Sequence, residues 1–471
     1  MKKLTSQQII DSLGYESGPA GKPVVVGAAL DQTTNTVNML YSVPAGHVFL
    51  VTHFVSQGDY QSDLGSKIGS PQSTETYTGF SLYDASGTLR DTMTFRNFAR
   101  YNSTFLAGGS PAWQTAAPGN AITWKPKYPV VVPARWSIRE NANQSRAWGN
   151  FGAVYGIVVD EQAARNMGYS VRGSNTASEK NYGVISSTVP STATTLLAAK
   201  TGKSIHITDV FVQMQPQTNS TNRLILQQSD GQLVLQMQNN NPAEFLSTSF
   251  SPGWYLKPGV ALEVDGDVAI QNSINIIYEY VDQEEVPGDY WFSVVDAVAP
   301  TPGTATIGNA VAPFTVTHNE VTCYYPRRGL TKTSPTQGFQ HFVNGWVVSC
   351  QKTSTTANTV ATDDTEQTRI VITTGSSGGS LTSAAAGATQ DQYQLSPVYS
   401  ASGYDQCMHS VLDGVHIPCK KDDGSIWVDA FGFKALAGTP SAADADIAGL
   451  TVSIWGTTRP SAVTDRSNRG T

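Results

Sequence analysis

Charge is what this chain has least of. Asp, Glu, Lys and Arg make up 14% of its 471 residues, against roughly a quarter in ordinary soluble proteins. With 30 basic and 37 acidic residues and a net charge of -7, there is no basic stripe to displace phosphate counterions, which excludes a nucleic-acid grip. No apolar run approaches the roughly 20 residues that span a bilayer, so no membrane partner is expected. Lys2 and Lys3 are not followed by an apolar stretch. The N-terminus therefore does not read as a secretory signal, and synthesis in a host cytoplasm is expected. The four cysteines, Cys323, Cys350, Cys407 and Cys419, all lie in the last third and are expected as free thiols. A sustained helical period is also missing, as is any glycine-rich phosphate motif in a parallel α/β setting.

What remains is β-structure with turn signals. Short runs alternate apolar and polar residues and are broken by pairs such as Gly58-Asp59, Ser86-Gly87 and Pro118-Gly119, the pattern of a sandwich or barrel. One strand-turn-strand unit occurs twice. Gly46 answers Gly202, Thr52 answers Thr208, Phe80 and Leu82 answer Leu224 and Leu226, and Gly87 and Leu89 answer Gly231 and Leu233. Downstream, Val131-Val132-Pro133-Ala134 matches Leu256-Lys257-Pro258-Gly259 with a one-residue slip before the next strands. The fold expected is all-β: tandem antiparallel β-sandwich domains, jelly-roll-like, two clearly duplicated and a diverged third.

The boundaries expected are an N-terminal arm over 1–36, a first sandwich over 37–160, a linker over 161–180, a second sandwich over 181–284, a connector over 285–319, a third β-rich domain over 320–460 and a polar tail over 461–471. In the arm, Ser6 caps a short helix to Leu13, with Ile9, Ile10 and Leu13 on one face. Such an arm is expected to cross onto a neighbouring subunit. Two insertions stand out: Ser56 to Thr78, rich in Ser, Gly and Gln, and Arg96 to Thr123, which carries Phe98, Tyr101, Phe105 and Trp113. The second either covers its own sandwich or touches a partner.

Chemistry is hard to find. Gly375-Ser376-Ser377-Gly378-Gly379 fits a nucleophile-elbow spelling but continues into Ser380 and the alanine-rich Ala384 to Ala388, with no helix to follow. Cys407, His409, His416 and Cys419 are the candidate metal ligands, since thiolate and imidazole suit zinc. Cys407 and His409 share a strand face, but His416 and Cys419, three apart, do not, so small buried cysteines and edge histidines are the plainer reading. Carboxylate pairs such as Asp363-Asp364 and Asp422-Asp423 sit in turns. Trp136, Trp427 and Trp455 fall inside strand patterns, as core residues would, and the remaining tryptophans are candidate sugar platforms. No catalytic residue and no cofactor is expected.

At Gly202-Lys203-Ser204-Ile205-His206-Ile207-Thr208-Asp209-Val210, with Asp230-Gly231 and Leu256-Lys257-Pro258-Gly259 following, the chain resembles the tandem β-sandwich proteins of tailed-bacteriophage virions, among them head decoration (cement) proteins and neck or tail accessory proteins. The resemblance implies a non-enzymatic virion component, most specifically a decoration protein, in a homotrimer that binds phage capsid or tail proteins. A tandem jelly-roll major capsid protein, a tail or neck accessory protein, and an appendage that binds a receptor or host-surface glycan are the alternatives.

Overall fold

The structure, a computed structural model, describes residues 4–12, 22–29, 37–57, 76–97, 122–143, 151–169, 182–214, 223–238, 246–266, 272–298, 312–313, 317–352, 367–375, 391–394, 399–400, 407–411, 417–418, 425–434 and 447–460. Helix α1 (Ser6–Ser12) is followed by β1 (Lys22–Ala29), β2 (Val37–Ser42), β3 (His47–Gln57), β4 (Thr76–Tyr83), β5 (Leu89–Asn97), β6 (Ile122–Trp124), β7 (Val130–Val132), β8 (Ser137–Asn143) and β9 (Phe151–Asp160). One antiparallel sheet runs β1-β9-β3-β6, with β7 continuing along the same edge of β3, and the second runs β2-β8-β4-β5. With β6 and β7 counted as one interrupted strand, this is the eight-stranded double Greek key of a jelly roll. We call it roll 1.

Helix α2 (Glu161–Asn166) leads to β10 (Tyr182–Thr188), β11 (Thr194–Leu197), β12 (Lys203–Met214), β13 (Arg223–Gln228), β14 (Leu233–Gln238), β15 (Leu246–Phe250), β16 (Trp254–Tyr255), β17 (Leu262–Gly266) and β18 (Ser273–Asp282). Their sheets, β10-β18-β12-β15 with β16 beside β12, and β11-β17-β13-β14, repeat the order of roll 1 strand for strand. This is roll 2.

Roll 3 has β19 (Tyr290–Val298), β20 (Ala312–Pro313), β21 (Thr317–Glu320), an added hairpin of β22 (Cys323–Tyr325) and β23 (Leu330–Lys332), then β24 (Phe339–Lys352), β25 (Gln367–Gly375), β26 (Asp391–Gln394), β27 (Tyr399–Ser400), β28 (Cys407–Val411), β29 (Ile417–Pro418), β30 (Ser425–Lys434) and β31 (Ile447–Pro460). Its sheets follow the same order again, β19-β31-β24-β28 with β29 beside β24, and β20-β30-β25-β26 with β21 and β27 continuing the interrupted strands. The diverged third domain is thus a third copy of one topology.

The copies agree to the residue at one irregularity. In roll 1 the β3–β9 register slips between Val51 and His53, leaving Thr52 unpaired in the ladder, and in roll 2 the β12–β18 register slips around Thr208. In each, the skipped threonine turns its hydroxyl onto the opposing strand, Thr52 to the carbonyl of Tyr155 and Thr208 to that of Ile277. Roll 3 slips at the same place, around Asn344. A bulge of this kind bends a strand and sharpens its twist, which a closing sandwich needs. Beside the bulge two of the copies are tight, since a Cβ on Gly156 would strike the Leu50 carbonyl and one on Gly456 the equivalent Phe342 carbonyl, whereas roll 2 carries Tyr278 at that place. Downstream the hairpins also match, with Gly87 and Gly231 at φ of 80° and 85° where glycine alone is unstrained.

The structure corrects or extends four expectations. Residues 22–29, read as part of the arm, form β1 and pair with β9 over their whole length. Helix α1 docks on its own roll: Ile9 is buried among Val48, Leu50, Ile157 and Met167, and Ser6 donates to the Pro126 carbonyl. In the stretch read as a connector with one strand over Trp291 to Val295, that strand is longer, Tyr290–Val298, and lies between β22 and β31 as the first strand of roll 3, because Trp291 and Phe292 have cores to enter on opposite faces. The downstream alignment also shifts by one residue. Val132, not Val131, is equivalent to Leu256, so Arg135, at φ 66°, holds the place of Gly259, at φ 75°. Both insertions, and Trp113 with them, lie mostly outside the described residues.

Candidate functional site

A jelly roll is a two-sheet wedge, and its side between the fifth and sixth strands is open. In roll 1 that opening shows Phe95 of β5 and Trp124 of β6, whose rings meet at 6.0 Å. Roll 2 closes it. Phe211, on the outer face of the β10-β18-β12-β15 sheet, lies 5.4 Å from Phe95 and 5.8 Å from Trp124, and Val184 and Ile277 join the same apolar cluster. This explains a pattern in β12, where every residue from Asp209 to Met214 is buried although a half-exposed strand would alternate. One face looks into roll 2 and the other into roll 1.

The polar part of this joint caps an open sheet edge. Strand β5 ends its sheet, so the Thr94 N–H and carbonyl point away from β4. The Asn275 side-chain amide satisfies both: Thr94 N donates to Oδ1 at 2.8 Å and Nδ2 donates to the Thr94 carbonyl at 2.8 Å. A side chain thereby stands in for a neighbouring strand. Asp209, fully buried beside it, accepts from the Lys127 N–H at 2.7 Å and the Ser251 hydroxyl at 2.5 Å. Burial pushes its carboxyl up, and those hydrogen bonds oppose the shift.

The second joint repeats the first. Strand β14, the edge of roll 2's second sheet, lies on β19, β24 and β31 of roll 3. Gln236 N donates to Ser453 Oγ at 3.1 Å, Gln238 N to Ser349 Oγ at 3.0 Å, and the Gln238 side chain to Thr451 Oγ1 at 2.6 Å. Ser453 stands where Asn275 stands in roll 2, by the bulge register. Trp254 and Trp455 meet edge to face at 5.4 Å, closing the wedge of roll 2 as Phe211 closes that of roll 1.

Away from the joints, two pairs of titratable groups meet among the described residues. His206 Nδ1 lies 2.7 Å from Glu279 Oε1, and its ring stacks on Tyr255 at 4.1 Å. Burial, with Glu279 adding, pushes the Tyr255 phenol up to about 12, so it stays neutral. Cys323 Sγ lies 3.9 Å from His341 Nε2, and His341 Nδ1 lies 2.8 Å from the Thr458 hydroxyl. This resembles a nucleophile and its base only in composition. Burial pulls the His341 imidazole down to about 4, so no imidazolium is present at neutral pH to favour a thiolate. Glu140 is fully buried in roll 1, with neither oxygen hydrogen-bonded among the described residues.

Of the candidate metal ligands, Cys407 and His409 fall on β28. Their side chains, and His416 and Cys419 altogether, lie outside the described residues. Among the described residues no group of three His, Cys, Asp or Glu could hold a metal ion, and no helix is long and apolar enough to cross a membrane. Trp124, Trp254, Trp291 and Trp455 are buried and offer no face to a sugar. The joint residues Asn275, Ser349 and Ser453 escape sequence reading. Their only signal is a short polar side chain inside an otherwise apolar strand.

No known protein family and no curated protein matches the chain. Among solved structures it is similar to the STIV MCP, at 13% identity over 55% of this chain and 96% of that one, with a TM-score of 0.27. It is also similar to an archaeal virus protein described by its triple jelly roll fold and turret assembly, at 9% identity over 92% and 90% of the two chains, with a TM-score of 0.18. A third likeness is to the CBM22-1-CBM22-2 tandem of Paenibacillus barcinonensis Xyn10C, at 9% identity over 60% and 89%, with a TM-score of 0.15. At scores this low the likeness carries no argument. The jelly-roll assignment rests on the strand order.

Proposed function

We propose that this chain is a non-enzymatic structural protein of a virion, a rigid building piece made of three jelly rolls. The observation that carries the reading is the joint used twice: the open side of one roll is closed by the outer sheet of the next, with buried aromatic rings and backbone hydrogen bonds on both occasions. A chain whose conserved geometry is roll-on-roll packing is built to make surfaces and spans. The sparse charge agrees with it.

Two placements differ in one property. A decoration protein adds to a preformed shell, and a capsid building block assembles with itself. The outer sheet of roll 1 favours the second, because its positions Val25 and Tyr155 are exposed where the equivalent positions of rolls 2 and 3 are covered. The test is mass spectrometry of purified particles. Many copies per particle, in a fixed ratio to the other shell proteins, are expected, and absence from the particle refutes the reading.

A further inference from the structure

The joint needs two halves, a wedge side and an outer sheet, and among the described residues the outer sheet of roll 1 and the edge of roll 3 have no roll seated on them. The bulge register identifies the positions. Val184 and Ile277 in roll 2 are 2% and 0% exposed, and Phe292 and Trp455 in roll 3 are 1% and 2% exposed, each pair being covered by the preceding roll. Their equivalents in roll 1 are Val25 and Tyr155, paired across β1 and β9, and these are 64% and 37% exposed. After the bulge, β3 alternates, with His53 and Val55 half-buried, where β12 is buried throughout. His53 adds an edge-to-face ring contact to Tyr155 at 6.1 Å. Helices α1 and α2 cover the other half of this sheet and stop short of the patch, since their contacts are Val48, Leu50, Ile157 and Val159.

At the far end of the chain, β26 ends the second sheet of roll 3, as β5 and β14 end theirs. Those two edges are each seated on a following roll, and among the described residues no roll follows roll 3.

We infer that the outer sheet of roll 1, around Val25, His53, Val55 and Tyr155, is the docking seat for the β26 edge of roll 3 in a second copy of this chain. The contact continues the established joint from one molecule to the next. Because seat and edge lie at opposite ends of the chain, it is heterologous, so copies add head to tail until the rotation closes a ring or a filament grows. Closure at three copies would give the trimer expected from the sequence. The occupant is a second copy because the joint is already made twice between rolls of this chain. This rests on the proposed structural role but is tested separately from it.

The experiment is light scattering on the full chain over a rising concentration series, beside Val25→Asp/Tyr155→Asp and the control Met39→Asp, an exposed apolar residue on the other sheet. Wild type and control are expected to assemble, and the double variant to need at least about tenfold more protein, as for loss of a central apolar contact. All three should keep one circular dichroism spectrum, since these side chains are at the surface. In mixtures the double variant should still bind wild-type chains through its intact edge and shorten their assemblies. A photo-crosslinker at Val25 should capture the peptide that contains 391–394. A wild type that is monomeric throughout, assemblies untouched by the double variant, exclusion of that variant from wild-type assemblies, or capture of a different segment would each overturn the inference. A chain found in particles yet monomeric in solution would refute this contact and leave the structural role standing.

Discussion

Rolls 1 and 2 fill the same place in opposite ways. In roll 1 the inward position opposite Phe80 is Glu140, and Gly152 lies so close that a Cβ there would strike the glutamate carboxyl. In roll 2 the equivalent positions hold Gly266, opposite Leu224, and Ile274. Large and small have changed sides between two sheets of one architecture. A roll can therefore keep its strand order while exchanging which sheet supplies the bulk, as cores do when total volume is preserved. The exchange is not chemically neutral, because roll 1 buries a carboxyl where roll 2 buries hydrocarbon. Burial pushes Glu140 up to about 8.

The largest effect expected from pressing this comparison is on the start of each roll. Deleting residues 1–36 removes β1, which pairs with β9 as β10 pairs with β18, along with the Ile9 cap. Roll 1 should fail to fold while roll 2 survives, read by limited proteolysis with mass spectrometry. A truncated chain with a protease-resistant 37–160 would contradict this. Next come Gly156→Ala and Gly456→Ala, each expected to lose roughly 3 kcal/mol or more in urea unfolding, because the opposing atom is a backbone carbonyl that cannot turn aside. Near-neutral alanines would show that the bulge packs differently in solution.

Glu140→Gln follows, with a pH signature. The folded-state value lies above the ordinary 4.5, so the native roll holds a proton that the unfolded chain releases. Wild-type stability is complete below pH 4.5 and declines as pH rises through about 8. The glutamine variant should be more stable by on the order of 2–4 kcal/mol at pH 9 and about equal at pH 4. Parallel pH profiles for the two proteins would count against a neutral buried carboxyl. The smallest effect is at the turn where Arg135 stands for Gly259. Arg135→Gly should stabilise by up to about 1 kcal/mol, the relief of a left-handed backbone less the entropy of glycine, and Gly259→Arg should cost about as much.

The duplication was legible because hairpin chemistry is local: Ser86-Gly87 and Asp230-Gly231 announce their turns within a few residues, and Thr52 and Thr208 lie at fixed distances from Gly46 and Gly202. The first strand of roll 1 was not, and that of roll 3 only in part. Val24, Val25 and Val26 form a run without alternation, so an arm was expected where a strand stands, while Tyr290 to Val298 follows a proline-bearing turn and only its middle, Trp291 to Val295, reads as a strand within a connector. The joint was least legible of all. Asn275 matters because Thr94, far away in sequence, has an open edge, and nothing near Asn275 records that edge. Among the described residues the cysteine and histidine that meet are Cys323 and His341, on different strands of roll 3, and no spacing rule links them.

The central claim is that each edge strand is seated, through its own backbone, on the next roll, and native-state amide hydrogen exchange tests it most directly. Thr94, Gln236 and Gln238 carry the N–H groups that meet Asn275, Ser453 and Ser349. Their exchange should be slowed to the level of interior strand amides, and Asn275→Ala should release Thr94 alone. Fast exchange at all three in the wild-type chain, as on an open sheet edge, would contradict it.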